Sequence, residues 1–296
     1  MPSHGRVVGI FGPTASGKSA VAEALARRVP AELVSADAMQ VYEGVPIVTN
    51  QSPAALVALW PLSHEASVGQ YARLAHAAID AALTAGSTPV LVGGTGLYFR
   101  AALAELRVPP APPPELRAEI AAQVDALGVE AAHARLALAD PRAAARVHPN
   151  DRRRLVRALE LAALGHSLAP EDDRLWAEAT RLPTLLYGVD VPSEELARRI
   201  DGRTRAMFDA GVEEEVARAL AGPLSTTAAK ILGLREVADL PREEAIAAIV
   251  ARTRRYAAYQ RKWMRRIPGL LALDGTRPPE ELAATIAAQL GAEPGE

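Results

Sequence analysis

The chain has 296 residues, 49% of them hydrophobic and 23% charged, with a formal net charge of −2 at pH 7; it has ample apolar content for a core and is not a polycation whose bulk charge alone would hold nucleic acid. The absence of cysteine excludes disulfides, thiolate-held zinc and thiol nucleophiles. No apolar run reaches the roughly 20 residues of a membrane span, and the opening MPSHGRVVGIF lacks the length and cleavage site of an export signal, so a cytosolic protein without membrane contact is expected.

In chain order, residues 6–11 predict a buried strand, followed by GPTASGKS and a helix from about Lys18 to Arg28. ELVSAD predicts a second strand ending at Asp37. VGQYARLAHAAIDAALTA (68–85) has a helical pattern, with Gly86 placed just past its end. TPVLVGGTG is then a third short strand running into glycines. Strands alternating with helices predict a parallel α/β sheet with ligands at the carboxyl ends of its strands. VPPAPPPE (108–115) is a stiff proline-rich connection, and residues 114–165 show helical patterns only. TLLYGVDV (184–191) is a further strand, followed by helices over 192–210, 226–239 and 242–267, and GAEPGE forms a disordered tail. The expected architecture is an α/β core of residues 1–106 and 182–296, interrupted by a helical insert of residues 107–181.

The stretch Gly12-Pro13-Thr14-Ala15-Ser16-Gly17-Lys18-Ser19 fits the phosphate-loop pattern. Its glycines let backbone N–H groups converge on a phosphate, Lys18 neutralises charge, and Ser19 is placed to ligate Mg²⁺. Asp37 should face this loop across the sheet edge, where a carboxylate can bind metal through water, hold substrate or act as a general base. The third strand ends in Gly93-Gly94-Thr95-Gly96; it does not end in the Asp with which P-loop hydrolases hold Mg²⁺, which argues against nucleotide hydrolysis.

Two basic clusters follow. In HPNDRRRLVRALE, Arg153 and Arg157 lie four residues apart on one helix face. In ARTRRYAAYQRKWMRRI (251–267), Arg252, Arg254, Arg255, Arg261, Lys262, Arg265 and Arg266 fall on one half of the helix, and Thr253, Tyr256, Gln260 and Trp263 fall on the other. Seven positive charges with no acid to balance them predict a polyanion partner. In TAAKILGLREV, Lys230 and Arg235 flank Gly233, a residue disfavoured within a helix, and so predict close approach of another group.

Taken together, GPTASGKS, SADAMQVYEG, LVGGTGLYF, HPNDRRRLVRALE, GVEEEVARAL and ILGLRE resemble the tRNA dimethylallyltransferase (isopentenyl-pyrophosphate transferase) family, in the family's order and over nearly the whole chain. The resemblance implies a P-loop NTPase-like fold. It also implies transfer of a dimethylallyl group from dimethylallyl diphosphate to N6 of the adenosine 3′-adjacent to the tRNA anticodon. By motif position, it makes Asp37 the general base, has Thr95 hold the base, and has Gly12 to Ser19 grip the diphosphate with Mg²⁺. Asp37, Ala38, Met39, Gln40 and Thr95 would meet the tRNA, as would Arg117, Arg153, Arg154, Leu155, Val156, Arg157, Lys230, Gly233 and Arg235. A monomer is expected.

The chain departs from the family at several places. VPIVTNQS stands where M-D-I-G-T-A-K-P is usual, SHEASVGQYA replaces a D-P-x-x-x-Y-S run, and Ala38 replaces a serine. Ala257-Ala258-Tyr259-Gln260 stands where A-K-R-Q is usual. A P-loop small-molecule kinase shares the loop and the Asp after the second strand. A prenyltransferase of free adenine nucleotides shares the chemistry but has no use for the Arg clusters, and a non-catalytic RNA-binding protein could keep the fold.

Overall fold

The computed structural model describes residues 5–105, 111–169 and 177–291. Five strands form one sheet: β1 (Val7–Phe11), β2 (Ala31–Ser35), β3 (Thr88–Gly93), β4 (Thr184–Asp190) and β5 (Leu271–Asp274). Their order is β2-β3-β1-β4-β5, and every pair is parallel. β1 and β3 are buried at every position, as continuous apolar runs must be in a parallel sheet covered on both faces. The chain turns to one side of β1 to build β2 and β3, and to the other to build β4 and β5. The topological switch therefore falls at the carboxyl end of β1, where the phosphate-loop sequence begins.

One face of the sheet is covered by α1 (Lys18–Ala26) and α13 (Pro279–Gly291), whose Val21, Leu25, Leu282 and Ile286 pack on Val8, Ile10 and Val90. The other is covered by α3 (Val68–Thr84), α4 (Gly96–Leu103) and the helices α9 (Ser193–Asp209), α10 (Val212–Leu220), α11 (Leu234–Asp239) and α12 (Arg242–Met264). Helix α3 starts on a capping box, in which Ser67 Oγ accepts from Gln70 N and the Gln70 side chain accepts from Ser67 N. Gly86 follows the helix at φ 75°, the left-handed turn that favours glycine.

Packing divides the chain into two units, 1–106 with 175–296, and 107–174. The sequence boundary at 181/182 lies inside the larger unit, where Arg181 N–H donates to Leu103 O and its guanidinium pairs with Asp80. The smaller unit holds α5 (Pro114–Leu127), α6 (Val129–Ala139), α7 (Pro141–Arg146) and α8 (Arg152–Ala163) around Ile120, Val124, Leu136, Leu155 and Leu159. Asp140 caps α7 by accepting from Ala143 N and also accepts from Ser167 Oγ.

Several expectations change. β2 ends at Ser35, so Asp37 lies in the following loop. The predicted helix 226–239 is a 3-10 turn at Ala228–Lys230 and then α11, which begins at Gly233 with φ 106°. β5, LALD, is a mostly exposed edge strand too short for a periodicity signal, and α2 (Pro46–Thr49) is a single turn. The expected disordered tail beyond residue 291 and residues 108–110 of the proline-rich connection lie outside the described residues. Among the described residues no helix is long and apolar enough to cross a membrane.

Helix α12 lies against α4 at a glycine. A Cβ on the buried Gly96 would fall on the indole ring of Trp263. Gly96→Ala is expected to force that ring aside and to destabilise the protein by about 1–3 kcal/mol, as a lower midpoint of urea unfolding at unchanged slope.

Candidate active site

The loop between β1 and α1 is built for an anion. Gly17, at φ 95°, turns the chain into α1 and has no side chain to occupy the first helical amides, which are left for a ligand. A Cβ on Gly12 would lie 2.5 Å from Val189 O and 2.6 Å from Ser16 Oγ. Ser16 Oγ is itself buried with no hydrogen-bond partner among the described residues, an arrangement that asks for a bound group. Lys18 Nζ donates to Pro13 O at 3.3 Å. Burial pulls the Lys18 ammonium down to about 8, against the opposing pull of the Asp37 carboxylate, and Arg203 lowers it further.

Across a cavity of about 340 Å³ from this loop stands the segment after β2. Asp37 Oδ1 accepts from Met39 N at 2.9 Å, which leaves Oδ2 without a hydrogen bond among the described residues. Thr95 Oγ1 accepts from Ala38 N at 3.1 Å, so the β3–α4 loop fixes the backbone beside Asp37. Gly93 permits this crossing, because a Cβ there would fall on the backbone of Ala36. Gln40 bonds Ser35 Oγ and the carbonyls of Thr49 and Asn50, drawing α2 to the cavity wall.

Four residues in or bordering this site carried no assignment in the sequence. Arg199 and Arg203, one turn apart on α9, both line the cavity. Arg199 donates to Ser16 O and Gly275 O and pairs with Glu195. Arg203 is lowered from the usual guanidinium range, first by burial and against the pull of Asp37, and its Nε has no partner among the described residues. Tyr256 and Gln260 come from the inward face of α12. Tyr256 Oη lies 3.4 Å from Thr95 Oγ1; the Gln260 amide accepts from Thr14 N and donates to Gly94 O. Three cations, Lys18, Arg199 and Arg203, thus face one carboxylate, Asp37, in a cavity that also presents Met39, Val48, Val92 and Leu232. Arginines are so frequent here that a single pair at i, i+4 gives no sequence signal.

The remaining predicted residues are distributed elsewhere. In the smaller unit Arg117 and Arg157 both pair with the buried Glu160, while Arg153 is exposed and Arg154 faces Asp151. Leu155 is 0% and Val156 9% exposed; both belong to the core of that unit, and their side chains offer nothing to RNA. Lys230 and Arg235 are exposed, and the group that Gly233 admits is the Val48 side chain of the cavity wall. The basic face of α12 is also thinner than its sequence predicts. Arg252 pairs with Glu236 and Arg261 with Asp190, because acids far away in sequence fold against them.

Comparison with known proteins agrees with this geometry. The family model described as IPP transferase matches residues 40–267, and that described as isopentenyl transferase matches residues 5–55. The chain belongs to the IPP transferase family. A tRNA dimethylallyltransferase of Acidothermus cellulolyticus is 40% identical, over 94% of this chain and 92% of that protein. The crystal structure of the full-length tRNA isopentenylpyrophosphate transferase of Bacillus halodurans superimposes with a TM-score of 0.68 at 30% identity, over 96% of each chain. A eukaryotic dimethylallyltransferase captured acting on tRNA shares the fold, with a TM-score of 0.79 at 23% identity over 96% of this chain and 77% of that one. The family fold is P-loop NTPase-like.

The depressed Lys18 sets a pH limit on anion binding. The ammonium is charged below about 8 and neutral above it, and a bound diphosphate raises its pKa again. Affinity for dimethylallyl diphosphate, measured calorimetrically, is therefore expected to be flat between pH 7 and the Lys18 pKa and to fall towards tenfold per pH unit above it.

Proposed function

We propose that this chain transfers a dimethylallyl group from dimethylallyl diphosphate to N6 of the adenosine 3′-adjacent to the anticodon of tRNA, forming N6-isopentenyladenosine. The observation that carries this reading is one cavity in which a phosphate loop and three cations face a single carboxylate with a free oxygen. β3 ends in glycines, with no acid to serve nucleotide hydrolysis. The same reading takes the enzyme as a cytosolic monomer.

The adenine amino group is a poor nucleophile because its lone pair is delocalised into the ring. Asp37 Oδ2 takes the N6 proton as nitrogen bonds to C1 of the dimethylallyl group. The C1–O bond breaks in the same event, and its electrons pass to the diphosphate. That growing negative charge meets the amides at the start of α1, the ammonium of Lys18 and the guanidinium groups of Arg199 and Arg203. Met39, Val48 and Leu232 supply an apolar wall for the five-carbon chain. The target base must leave the anticodon-loop stack to reach Asp37.

Mg²⁺ fits this site as a companion of the diphosphate. The described residues contain no group of three His, Cys, Asp or Glu able to cage an ion. The Ser19 hydroxyl and the Asp37 carboxylate line the cavity, as suits an ion that keeps waters and takes phosphate oxygens as ligands. Mg²⁺ supplies Lewis acidity to the leaving diphosphate, Ser19 would hold it directly, and Asp37 would reach it through water.

The deciding experiment incubates the protein with Mg²⁺, dimethylallyl diphosphate and an anticodon stem-loop carrying adenosine 3′ of the anticodon, followed by mass spectrometry. A gain of one dimethylallyl unit is expected, and no gain refutes the reading. Asp37→Ala is expected to lower the transfer rate by on the order of 10³-fold or more while RNA affinity stays within about twofold by filter binding. Arg153→Ala, which alters an exposed cation in the smaller unit, should weaken tRNA binding and reduce its log–log salt slope by about 1. An unchanged slope would remove Arg153 from the RNA contacts.

A further inference from the structure

Adenine offers two nucleophiles on the edge that must face Asp37. The amino nitrogen N6 has its lone pair tied up in the ring, whereas the adjacent N1 carries an in-plane lone pair and is intrinsically the more reactive towards an allylic carbon. A carboxylate beside the amino group does not by itself prevent alkylation at N1, so a selective transfer to N6 needs something on that lone pair. Tyr256 is placed to provide it.

Its hydroxyl lies 3.4 Å from Thr95 Oγ1 and its side chain lines the cavity together with Asp37. Thr95 Oγ1 accepts from Ala38 N and keeps a proton of its own, and either hydroxyl can donate in the pair it makes with Tyr256 Oη. With Thr95 as the donor of that pair, the phenolic proton of Tyr256 is available to a ligand in the cavity that its side chain lines. Burial first, and the nearby Asp37 carboxylate second, hold the Tyr256 phenol well above its usual range, so it stays protonated at any working pH.

Resting on the prenyl-transfer reading above, we infer that Tyr256 is a specificity-determining residue that donates its hydroxyl proton to N1 of the target adenine, occupying the competing lone pair and directing the dimethylallyl group to N6. The same hydrogen bond withdraws electron density from the ring, which makes the N6 proton easier for Asp37 to remove. Guanine, whose N1 carries a hydrogen, would meet this donor with another donor and be refused.

The test uses the full chain with Mg²⁺, dimethylallyl diphosphate and two anticodon stem-loops, one with adenosine at the target position and one with 1-deazaadenosine, in which N1 is replaced by C–H. Products are resolved as nucleosides at neutral pH. On adenosine, Tyr256→Phe is expected to lower kcat/KM by on the order of 10- to 100-fold and to release an N1-linked adduct that the wild type does not make. On 1-deazaadenosine the wild type should fall by a similar factor, and Tyr256→Phe should match it, because the donor no longer has an acceptor. A variant equal to the wild type on adenosine overturns the proposal. So does a variant that keeps its deficit on 1-deazaadenosine, since that marks a packing role. Should the variant fail to fold, undiminished transfer to 1-deazaadenosine by the wild type overturns it equally. A wild type that prenylates neither stem-loop removes the underlying reading, and this one with it, whereas an active wild type confines any failure to Tyr256.

Discussion

One buried carboxamide sets the dimensions of the site. Gln260, 1% exposed, accepts from Thr14 N with one end of its amide and donates to Gly94 O with the other. It thereby joins the phosphate loop, the loop after β3 and the C-terminal half of α12, segments that are far apart in the chain. Loss of the bond to Gly94 O would leave a buried carbonyl unsatisfied, at about 1–3 kcal/mol. The approach is possible because Gly94 has no Cβ, which would fall on the Gln260 side chain. With this bridge in place, the cradle that holds negative charge and the wall that carries Thr95 and Asp37 cannot drift apart.

Electrostatics follow from that enclosure. Lys18 and Arg203 are both pushed towards their neutral forms by burial, and Asp37 is the charge that opposes this. A cavity of desolvated cations has its dipoles and charges oriented before the ligand arrives, which lowers the reorganisation needed when diphosphate departs. The same carboxylate has a second effect. A protonated Asp37 would no longer offset its cationic neighbours, and their demand for an anion would rise.

The two loops at the heart of the site were legible in the sequence because their chemistry depends on glycines at fixed spacing. Gly12 and Gly93 are where the backbone meets Val189 and Ala36 with no room for a Cβ, Gly17 is where the chain turns into α1, and a pattern of glycines survives in one dimension. The helical insert and α12 were legible from periodicity. What could not be read were contacts made by common residues across long separations. Arg199 and Arg203 look like any other arginines until α9 folds over the phosphate loop, and Arg252 and Arg261 look free until Glu236 and Asp190 meet them. Leu155 and Val156 sit inside a basic motif, yet the helix turns them into a core. Gly233 predicted close approach of another group, and what it meets is a packing neighbour, the side chain of Val48.

The clasp on α2 explains how the cavity wall tolerates a sequence unlike that of its relatives. Glu215 of α10, 2% exposed, accepts from Ile47 N and Val48 N, each at 2.8 Å. Both bonds are to backbone amides, so they fix the path of the segment without asking which side chains it carries. Val48, Thr49, Asn50 and Ser52 can then line the cavity in place of the lysine-bearing run usual in the family. Anchoring a wall by its main chain separates its position from its chemistry, and leaves its side chains free to diverge while the shape of the site is kept.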